Sequence, residues 1–222
     1  MDNFETKNPD TSGSLTERLE IPIRDENGSP IGMLVRLDET IASDHGLVCD
    51  LTRWRNTART SFLTQFTATN ERTSSWLRNV VLPNESRMLF IITGNHEDRF
   101  GHIGLNNICS SHFDIDNVLR GNASAKSGLM FYSAVSLMTW FFKSSHAPLC
   151  RLEVLSHNAA AIKLYHKLGF HEADRFPLWR TQTIDTVTYS REKSGRLSTQ
   201  APFDCIAMEI SVSAFFSIHS WA

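Results

Sequence analysis

The stretch from Arg151 to Phe170 allows few folds. Arg151, Leu152, Glu153 and Val154 alternate polar and apolar before Leu155, as a short half-buried strand does. A helix punctuated at both ends follows. Asn158 stands where an N-cap belongs, and Gly169 stands where a left-handed residue stops a helix. Between them Ala161, Leu164 and Leu168 make an apolar stripe. Asn158, Ile162 and Tyr165 fall on the adjoining face at helical spacing. From periodicity alone, Asn158 is a cap and Tyr165 a core aromatic with a wet hydroxyl.

The rest of the chain supplies more strands than helices. Glu20–Arg24 and Ile31–Leu37 flank the turn residues Asp25–Gly28 and read as a β-hairpin. Gly46–Leu51 reads as a strand, and Phe62, Leu63 and Phe66 after it are spaced for a helix face. Thr69 is placed to cap a helix whose stripe is Trp76, Leu77, Val80 and Val81, ended by Pro83. Met88–Ile92 and Phe100–Leu105, split by the polar turn Gly94–Arg99, predict a second hairpin. His112–Arg120 alternates as a strand in its first half. A helix is expected from Leu129 to Lys143, and late strands over Phe176–Arg180 and Ile206–Ile210. The polar run Thr181–Gln200 between them reads as a mobile loop. These elements predict an α/β fold, a mixed sheet with helices on both faces. The expected layout is a disordered leader over residues 1–19, a hairpin extension over 20–45 and the main domain over 46–222.

Charge and composition remove several function classes. With 22 Lys and Arg against 24 Asp and Glu, interspersed, there is no electrostatic footprint for nucleic acid or a membrane surface. The first residues lack the basic and apolar regions of a signal peptide, and no apolar run is long enough for a bilayer span, so the cytoplasm is the expected location. Cys49, Cys109, Cys150 and Cys205 are scattered and are expected as small buried hydrophobes in a reducing compartment. No metal is expected, since the nine histidines show no HExxH or paired Cys/His spacing.

One loop invites a ligand. Gly121–Gly128 follows a strand and feeds a helix, and amides at such a helix start suit a phosphate. It lacks the Walker lysine spacing and the dinucleotide fingerprint, which disfavours nucleoside triphosphates and NAD.

The pattern N-x-x-A-[IV]-x-L-Y-x-x-x-G-F, met by Asn158–Phe170, closely resembles the C-terminal motif of the GNAT family of N-acetyltransferases. The order of elements from about Leu47 to Ile210 is similar as well. The resemblance implies a central mixed sheet in which the strand of Phe113–Arg120 splays from that of Arg151–Leu155, with acetyl-CoA in the gap. It assigns Val118, Leu119 and Arg120 to pantetheine and Ala125, Lys126, Ser127, Gly128, Leu129 and Met130 to the pyrophosphate. The family pattern there is [QR]-x-x-G-x-[GA]; Ala125–Met130 keeps the glycine and loses the Gln/Arg and the last small residue. It implies that Tyr165 protonates the leaving thiolate and that Asn158 contacts the cofactor. For the base it points to Asp116, nearer the splay, ahead of Asp114. Trp54-Arg55-Asn56 resembles the subset acting on ribosomal-protein N-termini or nucleotide-linked amino sugars, and Gly101–Leu105 followed by Asp116–Gly121 resembles the amino-sugar group as well, with Arg55 and Trp54 as substrate contacts. On the residues alone, Arg55 reads first as an ion-pair partner, and Trp54 and Trp76 as packing anchors rather than a stacking platform. The expected partners are acetyl-CoA and a small amine, with a homodimer left open. A non-catalytic acyl-CoA-binding module is the alternative of another class.

Overall fold

In the strand Met88–Thr93 the side chains of Phe90 and Ile92 enter one hydrophobic core, and those of Leu89 and Ile91 enter another. That alternation places cores on opposite faces of one sheet. The computed structural model describes residues 18–94, 98–122, 124–193, 195 and 197–222. The leader expected over 1–19 lies outside them up to residue 17, as do residues 95–97 of the expected turn.

Among the described residues ten strands form one mixed sheet, in the order β1-β2-β4-β5-β6-β7-β10-β8-β9-β3. They are β1 (Glu20–Arg24), β2 (Pro30–Arg36), β3 (Thr64–Phe66), β4 (Met88–Thr93), β5 (Arg99–Asn106), β6 (Phe113–Arg120), β7 (Leu149–Leu155), β8 (His171–Gln182), β9 (Thr186–Ser190) and β10 (Thr199–Ser211). The first hairpin is not set apart from the sheet, because β2 pairs with β4 from Met33↔Thr93 to Arg36↔Phe90. On one face lie α1 (Glu39–Ala42), α2 (His45–Thr57) and α3 (Asn70–Trp76), the last continued by a wider turn over Leu77–Val81. The larger core on the other face is closed by α4 (Leu129–Ser144), α5 (Ala159–Leu168) and α6 (Val212–Ile218).

Three expectations are corrected. Gly46–Leu51 is the start of helix α2, not a strand. Asp44 accepts from the Gly46 and Leu47 amides, and Leu47, Val48, Leu51 and Trp54 are buried as one helical stripe. Phe62, Leu63 and Phe66 do not share a helix face; a single tight turn at Arg59–Ser61 precedes β3, which takes Phe66. Thr181–Gln200 is not one loop but carries strand: β8 runs on to Gln182, β9 pairs with both β8 and β3, and β10 begins at Thr199. Among the cysteines, Cys150 and Cys205 are buried as expected, Cys49 is half-buried and Cys109 is exposed.

Candidate active site

All neighbouring strands are antiparallel except β6 and β7, and that pair comes apart. They are joined in parallel only at Phe113↔Cys150 and Asp114↔Arg151. Phe113 pins the closed end, fully buried with ring centroids 4.5 Å from Phe141 and 5.0 Å from Phe142. Beyond Asp114 the facing edges have no ladder partner, and backbone groups line a V-shaped gap. A bulge in β6 drives the separation. Gly104 pairs with Asp116 and His102 with Leu119, so β6 carries one residue more than β5 in that interval. Asn117 takes it up with a φ of 52°. The slip turns Val118 toward the same core as Ile115 and sends Leu119 to the opposite one.

The two aspartates have different surroundings. Asp114 is held at the closed end, 3.2 Å from Arg151 Nε, and it accepts from Asn107 Nδ2 at 2.7 Å. Asp116 lies at the mouth of the gap. Its carboxylate accepts from Asn117 N and Asn117 Nδ2, both at 2.7 Å, with Arg87 at 3.7 Å.

Tyr165 reaches the same region from α5. Its side chain is buried, and burial first, then the charge of Asp116, pushes the phenol pKa well above its ordinary value. Its hydroxyl meets no hydrogen-bond partner among the described residues. Asn158 caps α5 by accepting from Ala161 N at 3.3 Å, and Gly169 ends it with a φ of 94°.

The loop after β6 is braced from behind. Arg120 donates to Asn122 O at 3.3 Å and to Ala125 O at 3.0 Å, so its guanidinium holds the loop and its backbone faces the gap edge. Gly128 is left-handed at φ 83° and offers no side chain to the first turn of α4. No side chain caps this sixteen-residue helix; Leu129 N donates to Lys126 O at 3.1 Å, and the Met130 and Phe131 amides meet no partner among the described residues. Unpaired strand edges beside such a helix start fit an elongated pantetheine ending in a pyrophosphate, even without the family's Gln/Arg and final small residue.

On the α2–α3 face a cavity of about 190 Å³ opens beside Asn117. Arg55, Arg72 and Arg87 line it together with Phe62, Phe66, Trp76 and His102. The Arg55 guanidinium lies 4.3 Å from the Phe62 ring centre and 4.6 Å from that of Phe66, and it donates to Thr64 O at 3.0 Å. No carboxylate faces Arg55 among the described residues, and burial, then the charge of Arg72, lower its pKa. A shallower cavity of about 380 Å³ shares Phe66 and Arg72 with it and is walled by the β8–β9 turn, Thr183–Asp185. Trp54 does not join Arg55 there. It is packed against Gly121, where a Cβ would come within 2.1 Å of its ring, so it seats the loop after β6 and does not line this cavity.

A family model described as "Acetyltransferase (GNAT) domain" matches residues 35–171. This chain belongs to the GNAT acetyltransferases. No curated protein matches it. Among solved structures it is similar to RimL, a ribosomal L7/L12 α-N-protein acetyltransferase, with a TM-score of 0.65 and 13% identity, over 89% of this chain and 96% of that one. It is similar to FdhC, a nucleotide-linked sugar GNAT, with a TM-score of 0.61 and 14% identity, over 90% and 94%. A spermidine N-acetyltransferase from Vibrio cholerae, solved with CoA and spermine, gives 0.58 and 15%, over 82% and 96%. At such identities these likenesses show the fold. As a GNAT N-acetyltransferase the protein uses acetyl-CoA, and the β6–β7 gap is the part of this fold that suits it.

The site residues that sequence reasoning missed are Arg72, Arg87, His102, Phe62, Phe66 and Trp76. They come from four separate segments; His102 stands inside the run Gly101–Leu105 without a role of its own, and in the sequence Trp76 reads as a packing anchor. The one signal in reach was His102 on an alternating strand between Gly101 and Ile103, a polar side chain at an inward position.

Proposed function

We propose that this GNAT enzyme acetylates the primary amine of an amino sugar carried on a nucleotide, in the synthesis of a surface polysaccharide. The observation that carries this reading is the inner cavity, where three guanidiniums and three aromatic rings meet beside the gap between β6 and β7. A partly buried cation wants an anion, and Arg55 has none among the described residues. A diphosphate supplies that charge, while sugar and base rings suit the aromatic walls. The adjoining outer cavity gives an acceptor of that length room to continue past Phe66 and Arg72. A polyamine would meet the same three arginines with like charge. A peptide N-terminus is the competing acceptor; its amine would meet Asp116 as a sugar amine would, but it brings no diphosphate for Arg55. The cytoplasm, where acetyl-CoA and nucleotide sugars are made, is part of this reading.

In the reaction, backbone amides of the splayed strand polarise the thioester carbonyl. Asp116, at the mouth of the gap, draws the amine in and orients it. Tyr165 holds its proton until a thiolate forms within reach, then gives it up. Asn158 borders the same gap from the start of α5. The amides of Gly128 and Met130 take the pyrophosphate, with Leu129, whose own amide is bonded to Lys126 O, and Ala125, Lys126 and Ser127 beside them, and Val118 to Arg120 along the pantetheine.

The test is a thiol-release assay with acetyl-CoA and a panel of UDP- and dTDP-linked amino sugars, N-terminal peptides and spermidine. Release with a nucleotide-linked amino sugar well above that with the others is expected. Faster release with peptides overturns the acceptor. Binding of CoA without release for any amine overturns catalysis in favour of an acyl-CoA-binding module.

A further inference from the structure

His102 is the buried titratable group that these roles leave unused. It stands on β5 opposite Leu119, only 5% exposed, with its ring at the wall of the inner cavity. Its Nδ1 lies 2.7 Å from the carbonyl oxygen of Asn117, the left-handed residue of the β6 bulge. A carbonyl only accepts, so the hydrogen is on Nδ1. The neutral ring then carries its lone pair on Nε2, and Nε2 meets no partner among the described residues. The bond that fixes the tautomer is thus anchored on the element that opens the gap for acetyl-CoA.

We propose that His102 Nε2 is the catalytic base that takes the proton from the acceptor amine. The proposal rests on the acetyl-transfer reading and moves the base away from the aspartates. Asp114 is tied to Arg151 and Asn107, and Asp116 already accepts two hydrogen bonds from Asn117 beside Arg87. The charged groups around His102 are Arg55 on α2, Arg72 on α3, Arg87 before β4 and Asp116 on β6. Burial, with Arg55 acting in the same direction, keeps the imidazole unprotonated at neutral pH, so the Nε2 lone pair is free when the amine arrives, and it holds the proton only transiently.

The balance of the step is simple. The nitrogen lone pair bonds to the thioester carbonyl carbon, and the carbonyl π pair moves to oxygen. Bond formation makes the nitrogen acidic, and its proton passes to Nε2. The oxygen pair returns as the carbon–sulfur bond breaks, and the thiolate takes the Tyr165 proton. His102 then releases one proton to water and Tyr165 regains one, leaving the amide and CoA thiol.

The experiment compares wild type, His102→Asn, His102→Ala and Asp116→Asn with the best amine from the panel. Asn at this position keeps a donor for Asn117 O, so it separates loss of the base from loss of the fold. With His102→Asn, kcat falls about 10²-fold while KM for both substrates changes little. Added imidazole restores the His102→Ala rate in a dose-dependent way, which a purely structural role would not allow. Turnover of His102→Asn close to wild type overturns the proposal. So does loss of the pH dependence in Asp116→Asn, or a His102→Ala variant that is folded, slow and indifferent to imidazole. If wild type itself releases no CoA with any amine, the acetyl-transfer reading fails, and this is seen before any variant is compared.

Discussion

Tyr165 illustrates what one residue does here. In the proposed reaction, a phenol surrounded by core and set near a carboxylate keeps its proton until the CoA thiolate forms within hydrogen-bond reach. Tyr165→Phe keeps the ring packing against Phe170 and removes the proton. Turnover should drop about 10²-fold with acetyl-CoA binding unchanged, read by steady-state rates beside direct titration with CoA. Because the phenol pKa is raised, the wild-type profile should show no alkaline fall from Tyr165 below about pH 10. The helix that carries Asn158 and Tyr165 was legible in the sequence because cap, stripe and stop lie on one continuous segment, while their proposed roles come from the family resemblance. Arg72 and Arg87 carry no signal, and His102 stands in the run Gly101–Leu105 without a role; the three come together only when α3, the segment before β4 and β5 meet. Arg55 was named from a short motif, but its stacking on Phe62 and Phe66 needed a turn and a three-residue strand that no pattern announced.

At the level of elements, the gap, the bulge and the start of α4 act together. The bulge bends β6 from β7, and the loop that leaves β6 must then turn sharply into α4. Gly128 makes that turn at φ 83°, with a Cβ position 3.1 Å from the Tyr132 ring. Gly128→Ala should cost about 1 kcal/mol of stability and move the opening amides of α4 off their anion position. The expected readout is a several-fold rise in the KM for acetyl-CoA with kcat nearly kept; an unchanged KM would place the pyrophosphate elsewhere in the loop. Sequence patterns found β4, β5, β6, α4, β7 and α5 because each has a clear period and turn residues at its ends. They failed at Gly46–Leu51, where a short apolar run suits strand or helix and the cap at Asp44 decides. They failed again at Thr181–Gln200, where a polar composition hid a hairpin completed by distant β3.

For the whole molecule, a neutral histidine held in the protein ties stability to pH. Burial lowers the His102 pKa from 6.5 to about 4, so between those values the unfolded chain binds a proton that the folded protein refuses. Stability is therefore greatest above pH 6.5 and is lost as pH falls toward 4, by about 3 kcal/mol for the full shift. His219, bonded to Leu168 O, is shifted in the same direction and adds to the slope in that window. Asp38 and Asp44, whose carboxyls are held below their ordinary value by capping amides and arginines, lose their stabilisation only at more acidic pH. Urea unfolding from pH 4 to 7.5 should show this acid-side decline in the wild type. In His102→Asn, which cannot take the proton, the part due to His102 disappears and the curve flattens between about pH 4 and 6.5. A slope equal to that of the wild type would mean that the imidazole is not held neutral in the fold, and the same measurement on a His219 variant would then locate the proton.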